Sequence, residues 1–160
     1  MVTVEAQVQR LAERLCARGW RMATAESCTG GMIAAACTSI AGSSDWFERG
    51  FVTYSNEAKL ELLGVPPSLL AAHGAVSEPA ARAMAEGALQ RAPVQLAVAV
   101  TGIAGPGGAV PGKPVGTVWL ACATAGRTES WHRLFAGDRA QVREATLHDA
   151  LRALVEAAER

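Results

Sequence analysis

Ser27 is the first residue of the chain whose setting could support chemistry. It lies in TAESCTGG (residues 24–31), between a short apolar run and an Ala-rich segment, which predicts a strand-to-helix turn that presents its hydroxyl. Unpaired N–H groups at such a helix start would stabilise an anion or a developing oxyanion. Gly30 and Gly31 would allow unusual backbone angles and close approach of a substrate. Alternatively, Ser27 or Thr29 only caps the helix, as such residues usually do.

Lys59 is the candidate base for this serine, because a hydroxyl is a weak nucleophile until a neighbouring group takes its proton. None of the three histidines has a neighbourhood that suggests a Ser-His-Asp triad. Lys59 and Lys113 are the only lysines in a chain that otherwise uses Arg, which cannot act as a base at neutral pH. Full burial can lower the pKa of a lysine by up to ~3–5 units. The alternative is a solvated helix-face lysine near Glu57 and Glu61.

A Gly-rich loop and two arginines could bind the rest of a substrate. The loop begins at Thr101 and Gly102, and its amides and hydroxyl could hold a phosphate or a polar ring substituent. It matches neither the P-loop nor the dinucleotide fingerprint, so it could equally be a long connection. Arg139 and Arg143, near the start of the last helix, could neutralise a phosphate, although most helix arginines are merely solvated.

The elements that must position these residues alternate between strands and helices. Apolar spacing and cap residues predict strands at residues 20–25, 51–54, 94–100, 115–123 and 128–135, and helices at 4–15, 30–39, 57–63, 77–91 and from 138 onward. This order predicts a three-layer α/β/α fold with a mixed, mostly parallel sheet and a C-terminal antiparallel hairpin. Sites in such folds lie beyond the carboxyl ends of strands. The Ser27 turn, the segment with Lys59 and the Gly-rich loop all follow predicted strands in this way.

Composition limits the classes of function that need to be considered. The 160 residues, 50% hydrophobic and 19% charged, predict a single domain over residues 1–160. Fifteen basic residues balance fifteen acidic ones without a dense cationic run, which disfavours nucleic acid and membrane partners. The four cysteines lack metal-ligand or disulfide-framework spacing, which predicts reduced thiols and a cytoplasmic protein. We expect no signal peptide, no membrane span and no metal.

Five motifs along the chain carry a resemblance to a known family. They are TAESCTGG (24–31), YSN (54–56) with Lys59, GAVS (74–77), VTGIAGPGG (100–108) and KPVGTV (113–118). On these motifs nearly the whole chain resembles the CinA C-terminal domain family of nicotinamide-nucleotide amidohydrolases, in its stand-alone form. The resemblance implies hydrolysis of the carboxamide of nicotinamide mononucleotide to nicotinic acid mononucleotide and ammonia, in pyridine nucleotide recycling. It also implies a homo-oligomer.

The same resemblance assigns roles to individual residues. Ser27 matches the nucleophile, Lys59 the general base and Tyr54 a hydroxyl that assists them. The positions matching substrate-binding residues are Thr29, Gly30, Gly31, Asn56, Thr101, Gly102 and Arg143. Arg139, one helical turn from Arg143 on a similar face, is the alternative substrate-binding arginine.

The expected mechanism begins when a neutral Lys59 takes the Ser27 proton through or beside Tyr54. Ser27 then attacks the amide carbon, amides near the helix start stabilise the oxyanion, ammonia leaves, and water hydrolyses the acyl-enzyme. No metal or cofactor is required, because the protein supplies both base and donors. Cys28 is a rival nucleophile that we expect to be a packing residue. The alternative function is a catalytically silent module that binds pyridine nucleotides or another protein.

Overall fold

The computed structural model describes residues 2–160, which form five strands, six α-helices and one short 3-10 helix. The strands are β1 (Met22–Glu26), β2 (Phe47–Val52), β3 (Leu96–Gly102), β4 (Thr117–Thr124) and β5 (Arg127–Leu134). The α-helices are α1 (Val4–Arg18), α2 (Met32–Cys37), α3 (Asn56–Leu63), α4 (Pro67–His73), α5 (Glu78–Arg91) and α6 (Arg139–Glu159), and the 3-10 helix is Ser43–Asp45.

The strands form one mixed sheet in the order β2-β1-β3-β4-β5. β1 is parallel to both β2 and β3, whereas β4 pairs antiparallel with β3 and with β5. Strand β5 therefore runs in the same direction as β1, β2 and β3, which confirms the predicted mostly parallel sheet with its C-terminal hairpin. Since β1, β2 and β3 are parallel, their carboxyl ends lie at one edge, where the chain leaves the sheet at Ser27, Thr53 and Ile103.

Helices cover both faces of the sheet, and the side chains of β3 show how the faces differ. Leu96, Val98 and Val100 belong to the apolar cluster that includes α1 and α6. The small side chains of Ala97 and Ala99 belong to the second cluster, with α5. All five are fully buried, as expected for a central strand covered on both faces. This alternation gives the three-layer fold that the sequence predicts.

Local capping fixes the helix starts that bring functional residues to this edge. The Ser55 side chain accepts from the Ala58 amide and starts α3, which carries Lys59. Asp138 and Gln141 form a reciprocal capping box that starts α6 at Arg139. The caps at residues 3, 55, 77 and 138 thus define α1, α3, α5 and α6.

One helix was not predicted, and several predicted element boundaries are wrong. Helix α4 is absent from the predicted elements, because two consecutive prolines usually end a helix; here Pro67 is its first residue, where the missing N–H costs nothing. Strand β2 starts four residues before the predicted position 51 and ends at Val52, since its charged and glycine residues lie on an exposed edge. Strand β1 starts at residue 22 instead of 20 and includes Glu26, and α2 is shorter than the predicted 30–39.

None of the helices formed by residues 2–160 combines the length and apolar character that a membrane span requires.

Candidate active site

Ser27 and Lys59 meet at the carboxyl edge of the sheet. Ser27 directly follows β1, and its amide donates to the Val100 carbonyl of β3 at 3.1 Å, which continues the ladder into the turn. Lys59 lies in the first turn of α3 and points back across the end of β2. Its Nζ atom lies 3.0 Å from Ser27 Oγ. The predicted proximity of these two side chains is therefore confirmed, at a distance over which a proton can transfer directly.

Lys59 is almost completely enclosed, with only 1% of the residue exposed. Its Nζ contacts two backbone carbonyls besides Ser27, Thr53 O at 2.8 Å and Tyr54 O at 3.3 Å. Burial disfavours the ammonium form and lowers the pKa of Lys59 below its usual 10.5. No carboxylate lies within ion-pair distance of Lys59 among the described residues to offset this effect. The alternative of a solvated surface lysine is thus wrong.

A cavity of about 270 Å³ opens directly above this pair. It has one wall from Ser27, Cys28, Tyr54 and Lys59, a second from residues 75 and 76, and a third from the Gly-rich loop, with Arg139 at its rim. Thr101 and Gly102 line it as well; the Thr101 hydroxyl donates to the Ala75 carbonyl at 2.8 Å and so joins two of the walls. The cavity can receive a small polar molecule whose reacting atom contacts Ser27.

The hydroxyl of Tyr54 faces the outer part of the cavity. Tyr54 is 61% exposed, and its hydroxyl accepts from Arg139 Nη2 at 3.2 Å. Arg139 Nη1 donates to the Gly105 carbonyl at 2.9 Å, so the guanidinium joins the Gly-rich loop to the β2–α3 connection. Tyr54 contacts Lys59 through its backbone carbonyl.

The turn after Ser27 is filled by a side chain that the sequence analysis did not assign. The buried Glu26 carboxylate accepts the amides of Gly31, Ile33 and Ala34 at 3.3, 2.9 and 3.0 Å. The expectation that these amides at the start of α2 are open to an anion is wrong, because an acid of the protein already occupies them. The amides of Cys28 and Thr29 donate to no backbone oxygen and to no other residue's side chain within residues 2–160.

Cys28 lines the same cavity but is 5% exposed, and burial raises the pKa of its thiol to about 12. A thiol with this pKa carries almost no thiolate at neutral pH, and the thiolate is the nucleophilic form. The structure therefore favours Ser27 over Cys28 as the nucleophile.

Comparison with known proteins decides the family. The family model described as the CinA C-terminal domain matches residues 4–158. The chain belongs to the CinA C-terminal domain family.

Named relatives of this CinA domain differ in length. It is 54% identical over 147 residues to nicotinamide-nucleotide amidohydrolase PncC of Shigella flexneri, covering 91% of this chain and 89% of that protein. It is 55% identical over 139 residues to a CinA-like protein of Syntrophobacter fumaroxidans, covering 87% of this chain and 33% of that protein, so it spans about a third of this longer relative. The solved structure of the competence/damage inducible protein CihA from Agrobacterium tumefaciens superposes with a TM-score of 0.94 at 46% identity, over 98% and 96% of the two chains.

Five predicted substrate-binding positions of this CinA domain do not line the cavity. Gly30 and Gly31 adopt φ values of 57° and 112° and shape the turn, while Asn56 lies on an exposed helix start beside a separate groove. The Thr29 hydroxyl donates to Glu26 at 2.6 Å. Arg143 donates from Nε to the Cys28 carbonyl and from Nη2 to the Thr29 carbonyl, at 3.0 and 3.3 Å. Of the two predicted arginines, only Arg139 reaches the cavity.

Glu26, Thr53 and the 75–76 segment are site residues that sequence reasoning missed. An acid four residues before a predicted helix start is the signal that could have identified Glu26, since carboxylates are favoured near helix N-termini. Thr53 contributes its backbone carbonyl, which every residue type has, so its role cannot be recognised from the sequence. Among residues 2–160 no three His, Cys, Asp or Glu side chains gather as metal ligands would.

Proposed function

We propose that this chain hydrolyses the carboxamide of nicotinamide mononucleotide, giving nicotinic acid mononucleotide and ammonia. The observation that carries the proposal is the buried Lys59 amine at 3.0 Å from Ser27 Oγ, at the floor of an open cavity. It is supported by 54% identity, over 91% of the chain, to a relative named nicotinamide-nucleotide amidohydrolase.

The first step is attack by Ser27. A neutral Lys59 has two N–H groups and one lone pair, and the carbonyls of Thr53 and Tyr54 can take the two N–H groups. The lone pair then faces the third neighbour, Ser27 Oγ. Lys59 accepts the hydroxyl proton while the Oγ–carbon bond forms, and the amide oxygen becomes an oxyanion. The short distance makes this transfer direct and leaves no step for the expected assistance by the Tyr54 hydroxyl, which accepts from Arg139 instead.

The second step expels ammonia. Lys59 returns the proton to the amide nitrogen, the carbon–nitrogen bond breaks, and Ser27 holds the acyl group as an ester. Water, deprotonated by Lys59, then releases the acid and restores Ser27. Every proton in this cycle passes through one amine whose lowered pKa lets it act as a base closer to neutral pH.

The oxyanion needs donors, and the amides of Cys28 and Thr29 are candidates because they have no other acceptor in the described structure. They lie on the chain segment directly after Ser27, as an oxyanion hole requires. A donor of this kind contributes ~3–4 kcal/mol to stabilisation of the transition state.

The phosphate of the substrate would lie at the outer end of the cavity. Arg139 is exposed there, and no carboxylate lies within ion-pair distance of it in residues 2–160. Its guanidinium and the amides of the Gly-rich loop supply the donors that a phosphate prefers. Arg143 is engaged with the Ser27 turn, so Arg139 is the phosphate ligand we propose.

We further propose that the activity belongs to one domain over residues 1–160, that it operates in pyridine nucleotide recycling in the cytoplasm, and that the protein forms a homo-oligomer. The mechanism uses no metal or cofactor, because Lys59 is the base and backbone amides are the donors. The relatives' names support a small nucleotide substrate, and the balanced charge supports neither a nucleic acid nor a membrane partner.

The test is ammonia release from nicotinamide mononucleotide by the purified wild-type protein, with calorimetry on the same sample. Turnover to nicotinic acid mononucleotide supports the proposal. Tight binding without ammonia release would instead identify a silent pyridine-nucleotide-binding module, and neither binding nor release would favour a protein-interaction domain.

A further inference from the structure

We infer that Glu26 is a positioning residue that fixes the turn carrying Ser27 and links it to the segment that holds Lys59. This inference rests on the proposed function, because it concerns the geometry of the same nucleophile.

The surroundings of Glu26 show that its side chain is fully engaged by the turn and the start of α2. The residue is 0% exposed, and its carboxylate accepts four hydrogen bonds. Oε1 accepts the Thr29 hydroxyl at 2.6 Å and the amides of Gly31 and Ile33, while Oε2 accepts the Ala34 amide. All four partners are donors, which matches an ionised carboxylate that accepts only. No basic side chain lies within 4.0 Å of it in the described chain.

These contacts enclose the nucleophile. Ser27 lies between Glu26 and Thr29, and the bond between their side chains closes a loop of four residues around it. Arg143 holds the same turn through the carbonyls of Cys28 and Thr29. The backbone turn that carries Ser27 is therefore fixed by both a carboxylate and a guanidinium.

The backbone of Glu26 extends this control to the base. Its carbonyl accepts the Thr53 amide at 2.9 Å, and the Thr53 carbonyl in turn accepts Lys59 Nζ at 2.8 Å. A shift of Glu26 would thus move Ser27, through the turn that the Glu26 side chain holds. It would also move Lys59, through the hydrogen bond between the Glu26 carbonyl and the Thr53 amide. Misplacement of reacting groups by about 1 Å can cost on the order of 10²-fold in rate.

A cap that only stabilises α2 would behave differently. Small domains are stable by roughly 5–15 kcal/mol, so the loss of one cap leaves nearly every molecule folded and kcat unchanged. Loss of positioning lowers kcat in fully folded protein. It leaves KM unchanged, because Glu26 does not line the cavity.

The experiment compares Glu26→Gln, Thr29→Val and Thr3→Ala with wild type. Glutamine keeps the shape but turns an NH2 group toward the Ala34 amide, so one bond and the charge are lost. Thr29→Val removes only the hydrogen bond from the Thr29 hydroxyl to Oε1. Thr3→Ala is the matched control, since the Thr3 side chain caps α1, outside the site, through the Ala6 amide. The measurements are kcat, KM and the pH midpoint for ammonia release from nicotinamide mononucleotide, with circular dichroism to confirm folding.

We expect kcat of Glu26→Gln to fall by about tenfold or more, with KM and the pH midpoint unchanged and Thr3→Ala equal to wild type. If Glu26→Gln does not fold, Thr29→Val decides, and a kcat about threefold lower or more at unchanged KM supports the inference. Wild-type kcat in the folded variant, or a rise in KM alone, overturns it. Failure of the proposed function is recognised separately, because then the wild-type protein itself releases no ammonia, and the inference falls with it.

Discussion

Replacing Lys59 by Met should nearly abolish ammonia release. Met has a similar straight side chain and can fill the same buried space, so the change removes the amine 3.0 Å from Ser27 Oγ with little change in volume. Loss of a positioned general base typically costs 10²–10⁴-fold, which is about 3–5 kcal/mol of transition-state stabilisation. We expect kcat/KM to fall within this range.

The same variant tests the lowered pKa of Lys59 through stability. In the unfolded chain the amine has its usual pKa of 10.5, whereas burial lowers its pKa in the folded chain. Between these two values the unfolded state binds more protons, so wild-type stability rises with pH across that window, by no more than about 1.4 kcal/mol per pH unit. At pH values below the pKa of Lys59 in the folded chain, the buried amine is charged, and its burial lowers the free energy of unfolding by the full amount. Lys59→Met lacks this rise.

Urea unfolding of wild type and Lys59→Met over a series of pH values measures the difference in the pH dependence of their stability directly. Over the same series, kcat/KM of wild type should rise to a plateau as Lys59 loses its proton. Lys59→Arg is the matched control, because it keeps a cation that cannot act as a base, and it should be as inactive as the Met variant. A Lys59→Met protein with more than a tenth of wild-type activity, or equal pH dependence of stability in the two proteins, would refute the reasoning.

Three further predictions concern other parts of the site and its support. Cys28→Ala should keep kcat within a few-fold of wild type, since a thiol with a pKa of about 12 is not ionised at neutral pH; loss of turnover would reassign the nucleophile. Arg139→Gln should raise KM for nicotinamide mononucleotide by roughly 10–100-fold, because it removes a hydrogen bond to a charged group. KM for the unphosphorylated riboside should not change, and equal increases in KM for both substrates would exclude a phosphate contact. Gly87→Ala should lower the free energy of unfolding in urea by about 1–3 kcal/mol, because its Cβ would lie 2.1 Å from the Leu63 carbonyl oxygen. Gly107→Ala, whose Cβ would meet open space, should stay within about 0.5 kcal/mol of wild type, and equal stabilities of the two variants would contradict this packing.

The fold could be predicted from sequence because each local signal agrees with the sheet. Residues 94–100 are apolar almost throughout, which indicates a central strand, and the cap at Ser77 defines the start of α5. The edge strand β2 was located less well, because an edge strand needs few apolar side chains and its pattern is hidden by Glu48, Arg49 and Gly50.

The proximity of Ser27 and Lys59 could also be predicted, since each follows a strand whose end lies at the same edge of the sheet. What could not be predicted is which neighbours they use. Lys59 is held by two carbonyls, which any residue type would supply. The helix start expected to bind an anion is occupied by Glu26, and whether that side chain folds back onto α2 depends on the angles of the turn. Arg139 and Arg143 lie one turn apart on α6, and the direction in which α6 enters the fold decides that Arg139 and not Arg143 lines the cavity.

The most direct test of the central claim is ammonia release from nicotinamide mononucleotide by Ser27→Ala, measured beside wild type under identical conditions. The variant removes one oxygen atom and retains Lys59, the Glu26 contacts and the cavity. If Ser27 is the nucleophile, turnover should fall by on the order of 10⁴-fold or more, while calorimetry still detects binding of the nucleotide. Full ammonia release by Ser27→Ala would contradict the account.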